Sequence, residues 1–239
     1  YNSRGGYVNL KNHHDIPAFS CMRCSNCCYF GRTEESPMIL PYEVAVLKLL
    51  ARKLNVPERL VFEKTESGFY RWVITGYCPF YEPNERLCRI HFDKPLACRM
   101  YPFLVNLSTM ELSLSKLCKW VNRNPGLTIR AENLENLEYI FPNEMKAVYE
   151  LLEVLSYASS TGLVVVGVDV NSELKNNDLE VPSPCSLLRT HKCHSTSGLY
   201  ILFLTGCTAD IVEQWLSLRG YNVVFSSEFR VVLDALKTY

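Results

Sequence analysis

The sequence predicts an α+β protein: an irregular, mainly helical metal-cysteine domain followed by a small α/β domain. Three features of the 239 residues predict this. Eight of the eleven cysteines fall between Cys21 and Cys118, in a stretch interrupted by prolines. Amphipathic helical spacing recurs beside them and again over 131–156, and the last third alternates β-branched runs with helical patterns. The boundaries drawn are 1–130 for the cysteine domain, 131–160 for a helical connector and 161–239 for the α/β domain.

Residues 1–20 read as an irregular lead-in, punctuated by Gly5-Gly6 and Pro17, in which His13 and His14 have no visible partner. From Pro41 to Leu54, Val44, Leu47, Leu50, Ala51 and Leu54 recur at helical spacing behind a proline suited to a first turn. Pro57 opens a second short helix over Pro57–Phe62 by the same logic. Phe69 to Thr75 alternates and is rich in aromatic and β-branched residues, so a strand is expected to lead into Gly76 and Cys78. Pro79, Pro83, Pro95 and Pro102 then break regular structure, and the loops between Cys78 and Cys118 are expected to be held by ligands rather than by a large apolar core. Val105 to Leu117 predicts a hairpin turning near Ser108-Thr109. Ala131 to Ser156 predicts helix, broken near Pro142.

In the last third, Leu163–Val170 and Leu199–Leu204 predict buried strands. Asp210–Leu218 predicts a helix, Tyr221–Phe225 a third strand, and Glu228–Leu236 a closing helix capped by Ser226 or Ser227. This alternation implies partly parallel pairing. Thr205-Gly206-Cys207-Thr208 falls at a strand-to-helix turn, where backbone N–H groups can bind an anion. It lacks the GxGxxG and GxxxxGK[ST] signatures and reads as a tight structural turn.

Composition places the chain among folded proteins, with 48% hydrophobic and 21% charged residues. The most apolar runs are too short to span a bilayer. No basic start followed by an apolar run is present, so no secretory leader is expected, and the cytoplasm, where thiols stay reduced, is the expected compartment. Net charge is zero, yet residues 1–130 hold 18 Lys and Arg against 11 Asp and Glu, and residues 131–239 hold 7 against 14. Arg23, Arg86, Arg89, Lys94, Arg99, Lys116 and Lys119 stand among the cysteines, where they can balance anionic thiolates. A nucleic-acid surface on this basic half is the alternative reading of the same charges.

The cysteines form a run, Cys21-Met-Arg-Cys24-Ser-Asn-Cys27-Cys28, and a spaced set, Cys78, Cys88, Cys98 and Cys118. Cysteines used only as core filler have no reason to recur as Cys-x2-Cys-x2-Cys-Cys beside polar neighbours. Disulfides suit small, core-poor secreted domains, whereas this chain has ample apolar content and an odd cysteine count. Metal ligation is therefore the reading favoured by the layout. Adjacent Cys27 and Cys28 are expected to point in different directions and so to serve different centres, or one of them to act outside the ligand shell. Eight ligands would suit two four-thiolate centres, and a single cluster would leave spares.

Taken with Gly76-Tyr-Cys78-Pro-Phe80, Cys88-Arg-Ile-His91 and Lys94-Pro-Leu-Ala-Cys98-Arg-Met-Tyr-Pro-Phe103, the run resembles the YkgJ-type cysteine-cluster (CxxCxxCC) family, described as zinc- or iron-chelating and in places as iron–sulfur oxidoreductases. The resemblance covers about residues 18 to 122. It implies Cys21, Cys24, Cys27, Cys28, Cys78, Cys88, Cys98 and Cys118 as metal and cofactor ligands. Asn26 stands where the family usually has glycine, and the C-terminal third has no counterpart in it. The resemblance favours an iron–sulfur cluster, [4Fe–4S], with Zn2+ as the alternative, since all-thiolate ligation suits both. The function it implies is a redox or electron-transfer role with an unidentified redox partner. The alternatives are a zinc-stabilised, non-enzymatic adaptor docking on protein or RNA and, through a related layout in flagellin lysine methylases, protein lysine methylation.

Arg99, beside Cys98, is expected to donate to a sulfur or a carbonyl outside the ligand shell. His91, three residues after Cys88, reads as a structural histidine that could also complete a mixed site. Cys185, His191, Cys193 and His194 form a looser cluster with some likeness to zinc spacing, in a polar connection otherwise read as an exposed loop. Asp169, ending a predicted strand, would be placed for catalysis in a doubly wound unit and otherwise serves as a strand-ending turn residue. HExxH, GxSxG and kinase motifs are absent from the sequence.

Overall fold

The computed structural model describes residues 17–107, 109–125, 127, 134–170, 174, 179–196 and 198–230. His13, His14, Ser108 and the closing helix expected beyond 230 lie outside them. The mixed α+β class holds, with helices packed among several small sheets.

After the cysteine run come β1 (Tyr29–Phe30) and β2 (Met38–Ile39), then α1 (Pro41–Lys53). Pro41 sits at the first turn as expected, and α1 buries Val44, Leu47, Leu50 and Ala51. Its start is closed by Glu43, whose carboxylate accepts the Leu40 N–H at 2.9 Å. β3 (Val61–Lys64) and β4 (Tyr70–Val73) follow. The short helix expected over Pro57–Phe62 is not formed: Val61 and Phe62 pair with Val73 and Trp72. Cross-strand pairing of β-branched and aromatic side chains outweighs a proline-initiated turn too short to bury a face. β2, β4 and β3 make a three-stranded antiparallel sheet.

β5 (Gly76–Tyr77), β6 (Tyr81–Glu82), β7 (Leu87–Cys88) and α2 (Leu96–Arg99) carry the spaced cysteines. β8 (Phe103–Asn106) and β9 (Glu111–Leu114) form the expected hairpin, and α3 (Lys119–Arg123) follows it. This region, expected to lack a large apolar core, has one. Phe80 and Phe103 are completely buried, with Ile90 and Leu96 nearly so. The prolines shape the loops, but the aromatic and aliphatic residues between them point inward.

Pro142 divides α4 (Leu134–Ile140) from α5 (Pro142–Ser160), as the sequence predicts. β10 (Leu163–Asp169), β11 (Ser186–Lys192), β12 (Leu199–Thr205), α6 (Ala209–Leu218) and β13 (Asn222–Phe229) complete the described chain. The sheet order is β11-β12-β10-β13 and every pairing is antiparallel, which corrects the expected parallel pairing. The helix α6 does join two strands that run the same way, but β10 lies between them. Glu228 and Phe229, expected to open a helix, end β13 opposite Val164 and Leu163.

β10 is buried on both faces, which explains its unbroken valine run. Val164, Val166 and Val168 meet Val212, Trp215 and Leu216 of α6. Leu163 and Val165 belong to a larger core shared with α1, α5 and the cysteine-bearing loops. Tyr42 against Phe203 and Phe69 against Phe229, ring centroids 5.2 and 5.6 Å apart, tie the sheet to the N-terminal region. Gly167 is required by the approach of Phe225, because a Cβ there would lie 2.2 Å from that ring.

Phe141 is a hub of this core. Fully buried, it packs against Phe19, Phe103 and Trp120 with ring centroids 5.0–5.3 Å apart. Replacing it with alanine is expected to cost about 3–5 kcal/mol, the usual range for a buried phenylalanine, and equilibrium unfolding in urea checks this.

Candidate metal centre

Short strand pairs deliver the cysteines. The run curls because Arg23 and Ser25, on either side of Cys24, both adopt left-handed backbone conformations, φ 50° and 63°. The Cys28 N–H then closes on the Ser25 carbonyl at 2.7 Å. Antiparallel pairing of β1 with β5 sets Tyr29 opposite Tyr77, and the Cys78 N–H donates to the Cys28 carbonyl at 2.7 Å. The β6–β7 hairpin places Cys88 opposite Tyr81, and Cys98 lies in α2. Cys118 precedes α3, its N–H bonded to the Ser115 carbonyl. Asn26, where the family usually has glycine, has a use here: its amide donates to the Leu117 carbonyl at 2.9 Å and ties the run to the Cys118 segment.

Electrostatics sorts the thiols into neighbourhoods. Cys27 and Cys28 do not diverge as expected; their Sγ atoms lie 3.8 Å apart. The hydrogen bond from Cys28 lowers the Cys27 thiol to about 7, with Lys94 assisting against burial, while the same bond, burial and the charges of Cys27, Cys78 and Cys98 push Cys28 up. Burial first, then Cys88 and Cys27, raise Cys78 to about 12. Burial, then Cys78, Cys88 and Cys27, raise Cys98. Burial leads again for Cys88, which also feels Cys27 and Lys94. Cys118 is raised by burial and by Cys24 and Cys27. Tyr101 faces the same three, Cys118, Cys27 and Cys24, behind the larger effect of burial. Cys21 is exposed at the start of the run. Thiols that hinder one another's ionisation in this way are the donor set a cation would reverse, because metal binding displaces the protons. Among the described residues, no three of these sulfurs lie within 4.8 Å of one another.

The looser C-terminal cluster is split. His191 and Cys193 come together, but Cys185 precedes β11 and Cys193 follows it, so an extended strand holds them about 25 Å apart. Cys185 instead lies beside Cys207, both free thiols, and the Cys207 thiol is raised to about 12 by burial and then by its neighbour. The stretch expected as an exposed loop is the edge strand β11, disguised by its half-exposed Arg189, Thr190, His191 and Lys192. The residue that joins His191 and Cys193 is Asp93, unmarked in the sequence because its partners lie about a hundred positions away. Its carboxylate accepts the backbone N–H groups of His194, at 2.8 Å, and Ser195. Burial alone would raise it, but His191, Ser195 and His194 together hold it down at about 2.

Arg99, expected to donate to a sulfur or a carbonyl, is seen paired with a carboxylate. Its guanidinium donates to Glu150 of α5 at 2.6 Å, and Arg189 pairs with the other Glu150 oxygen at 3.0 Å. His91 is exposed, with its N–H on the Cys88 carbonyl. Asp169 ends a strand of an antiparallel sheet, so the doubly wound argument for it does not apply. At the Thr205–Thr208 turn, Gly206 has φ +75° and the Ala209 N–H is taken by Glu228 at 2.7 Å, an internal carboxylate where an outside anion would bind.

Residues 20–124 match the family model described as "CxxCxxCC: Putative zinc- or iron-chelating domain", nearly the stretch marked by the motifs. That stretch is thus similar to a domain described as zinc- or iron-chelating. A protein of Methanocaldococcus jannaschii, described as uncharacterized protein MJ0661, is 24% identical over 103 residues, covering 41% of this chain and 52% of its own. The chain spans about half the length of this curated relative. No solved structure matches it. Among the described residues, no helix is long and apolar enough to cross a membrane.

Glu43 was also hidden in the sequence, as an ordinary helix-start glutamate. Besides capping α1, it accepts the Leu96 N–H at 2.6 Å and so anchors α2, which carries Cys98. Burial outweighs both bonds and raises its carboxyl from 4.5 to about 7. The folded state therefore holds this proton more tightly than the unfolded chain, a contribution complete below about pH 4.5 and lost as pH rises through 7, on the order of 3 kcal/mol in all. The stability difference between wild type and Glu43→Gln, measured by urea unfolding from pH 4 to 8, is expected to move against wild type across that window.

Proposed function

We propose that the protein is an iron–sulfur protein of electron transfer, with two four-thiolate centres in its N-terminal region. Cys28, Cys78, Cys88 and Cys98 hold one; Cys21, Cys24, Cys27 and Cys118 hold the other. Supporting this division are the influence of Cys78 and Cys98 on Cys28 and that of Cys24 on Cys118, while Cys27, which bears on Cys28, Cys78, Cys88, Cys98 and Cys118 alike, stands where the two centres adjoin and is assigned by spacing. Cys21-x2-Cys24-x2-Cys27 has the three-ligand spacing of ferredoxin loops, which take their fourth thiolate from elsewhere in the chain.

Spacing supports iron–sulfur over zinc. Four thiolates around one zinc at about 2.3 Å leave sulfurs about 3.8 Å apart, whereas a polynuclear cluster seats each sulfur on its own iron and spreads them. The wider spread of these thiols suits the second arrangement. The 3.8 Å approach of Cys27 to Cys28 is the one feature that suits zinc, and it supports the second reading, a zinc-held adaptor for a protein or RNA partner. When bound, a cluster supplies one-electron chemistry. The protein's part is to pack Cys78, Cys88 and Cys118 with the core that holds Phe80, Phe103 and Trp120, and to bring the charge of Lys94 to bear on Cys27, Cys88 and Cys98. The exposed Tyr29 and Tyr77, ring centroids 5.1 Å apart, flank Cys28 and Cys78 and leave that centre near a surface open to a redox partner.

Anaerobic purification with iron, sulfide and zinc analysis tests the reading. A brown protein, bleached by dithionite, is expected, and Cys98→Ser and Cys118→Ser are each expected to lose about half the iron. Loss of all iron in either variant alone would merge the two centres into one. A colourless wild-type protein with stoichiometric zinc would replace the redox role with the adaptor.

A further inference from the structure

We infer that Asp93, His191 and Cys193 form a separate, mixed-donor site for a zinc-like divalent cation at the seam between the cysteine-bearing loops and the C-terminal sheet. A carboxylate oxygen, an imidazole nitrogen and a thiol sulfur lie within 4.8 Å of one another there. Bonds of about 2.0–2.3 Å to a tetrahedral zinc would put such atoms about 3.3–3.8 Å apart, so a small contraction completes the site.

The three donors are already positioned. His191 and Cys193 are two residues apart at the end of β11 and project to the same side of the strand. The Cys193 N–H is fixed on the Leu199 carbonyl at 2.9 Å. Asp93 approaches from the N-terminal region with its side chain 1% exposed, steered by two backbone N–H groups that leave lone pairs on both oxygens. Those bonds account for the carboxylate, but they do not require a thiol beside it. His191 Nε2 stands 3.6 Å from Asp93 Oδ1, beyond a good hydrogen bond, and its side chain, 38% exposed, opens the site to solvent.

A cleft beside the trio, lined further by Tyr42, Glu43 and Phe203, has a free interior of about 40 Å³. That is room for an ion and one or two waters. Three protein ligands and a water-filled fourth position are the arrangement zinc adopts where it acts on a substrate. His194, its ring centroid 6.3 Å from that of His191, stands outside the trio.

The test uses the full chain with its cysteine centres loaded anaerobically, titrated with Co2+ followed by absorbance and with Zn2+ against a chromophoric chelator. Wild type is expected to take up one further equivalent, with a thiolate-to-cobalt band, and His191→Ala and Cys193→Ser are expected to lose it. The exposed His191 is the decisive position, since its replacement leaves the core and the Asp93 backbone bonds in place. An equal uptake by wild type and His191→Ala, or no further uptake by wild type, would overturn the site. Cys98→Ser reports on the cysteine centre alone and is expected to leave this equivalent unchanged, so the two readings fail separately.

Discussion

Burial and neighbouring thiols oppose the ionisation of Cys28, Cys78, Cys88, Cys98 and Cys118, and it is the apolar packing around Phe141 that gathers the segments carrying them. The ring joins Phe19 before the cysteine run, Phe103 after Cys98 and Trp120 after Cys118. Each buried aromatic of about 150–250 Å² contributes about 4–6 kcal/mol at ~25 cal/mol per Å². Neutral thiols pack as small apolar groups, so such a core can hold the donor set in shape by itself. The short ladders β1–β5 and β6–β7 then set directions, but pairs of two residues cannot carry that load alone.

A second constraint links the halves. Glu43 bridges the starts of α1 and α2, while Glu150 of α5 receives Arg99 from α2 and Arg189 from β11. Arg189 also lies over Phe203, 4.2 Å from its centroid. These partly buried pairs contribute less by net energy than by geometry, since each cation has only one arrangement that satisfies it. They fix α2, and so Cys98, relative to the sheet. Asp93 does the same for the β11–β12 connection, so the C-terminal sheet is part of the cysteine region's support.

Much of this was legible locally. The proline at α1, the break at Pro142, a hairpin expected over Val105–Leu117 and the two valine- and leucine-rich strands follow from spacing and composition, and the cysteine motifs marked the stretch that matches the chelating-domain model. What escaped depended on distant partners. β11 hides because an edge strand needs only one buried face, and Arg189 and His191 look like loop residues until Glu150 and Asp93 are opposite them. The parallel pairing was inferred from strand–helix–strand order, which does show that β12 and β13 run the same way but cannot show β10 between them. Arg99 beside Cys98 suggested sulfur, yet a long flexible cation follows the nearest carboxylate, and Glu150 lies fifty-one residues further on.

Lys94 stands between the two proposed kinds of metal site and would bear on them differently. It lines the cleft beside Asp93, and its charge also falls on Cys27, Cys88 and Cys98. A four-thiolate centre is strongly anionic and gains from that ammonium. A divalent ion held by one carboxylate, one thiolate and a neutral imidazole carries no net charge, so it neither repels Lys94 nor competes with it for the thiolates. Donor softness reinforces the separation: all-sulfur ligation suits iron–sulfur clusters, and the mixed oxygen, nitrogen and sulfur set suits a borderline ion such as zinc. Of the described basic residues in the first half, Lys94 is the one whose charge falls on these thiols, whereas Arg89 and Arg99 are taken by the Leu54 carbonyl and Glu150.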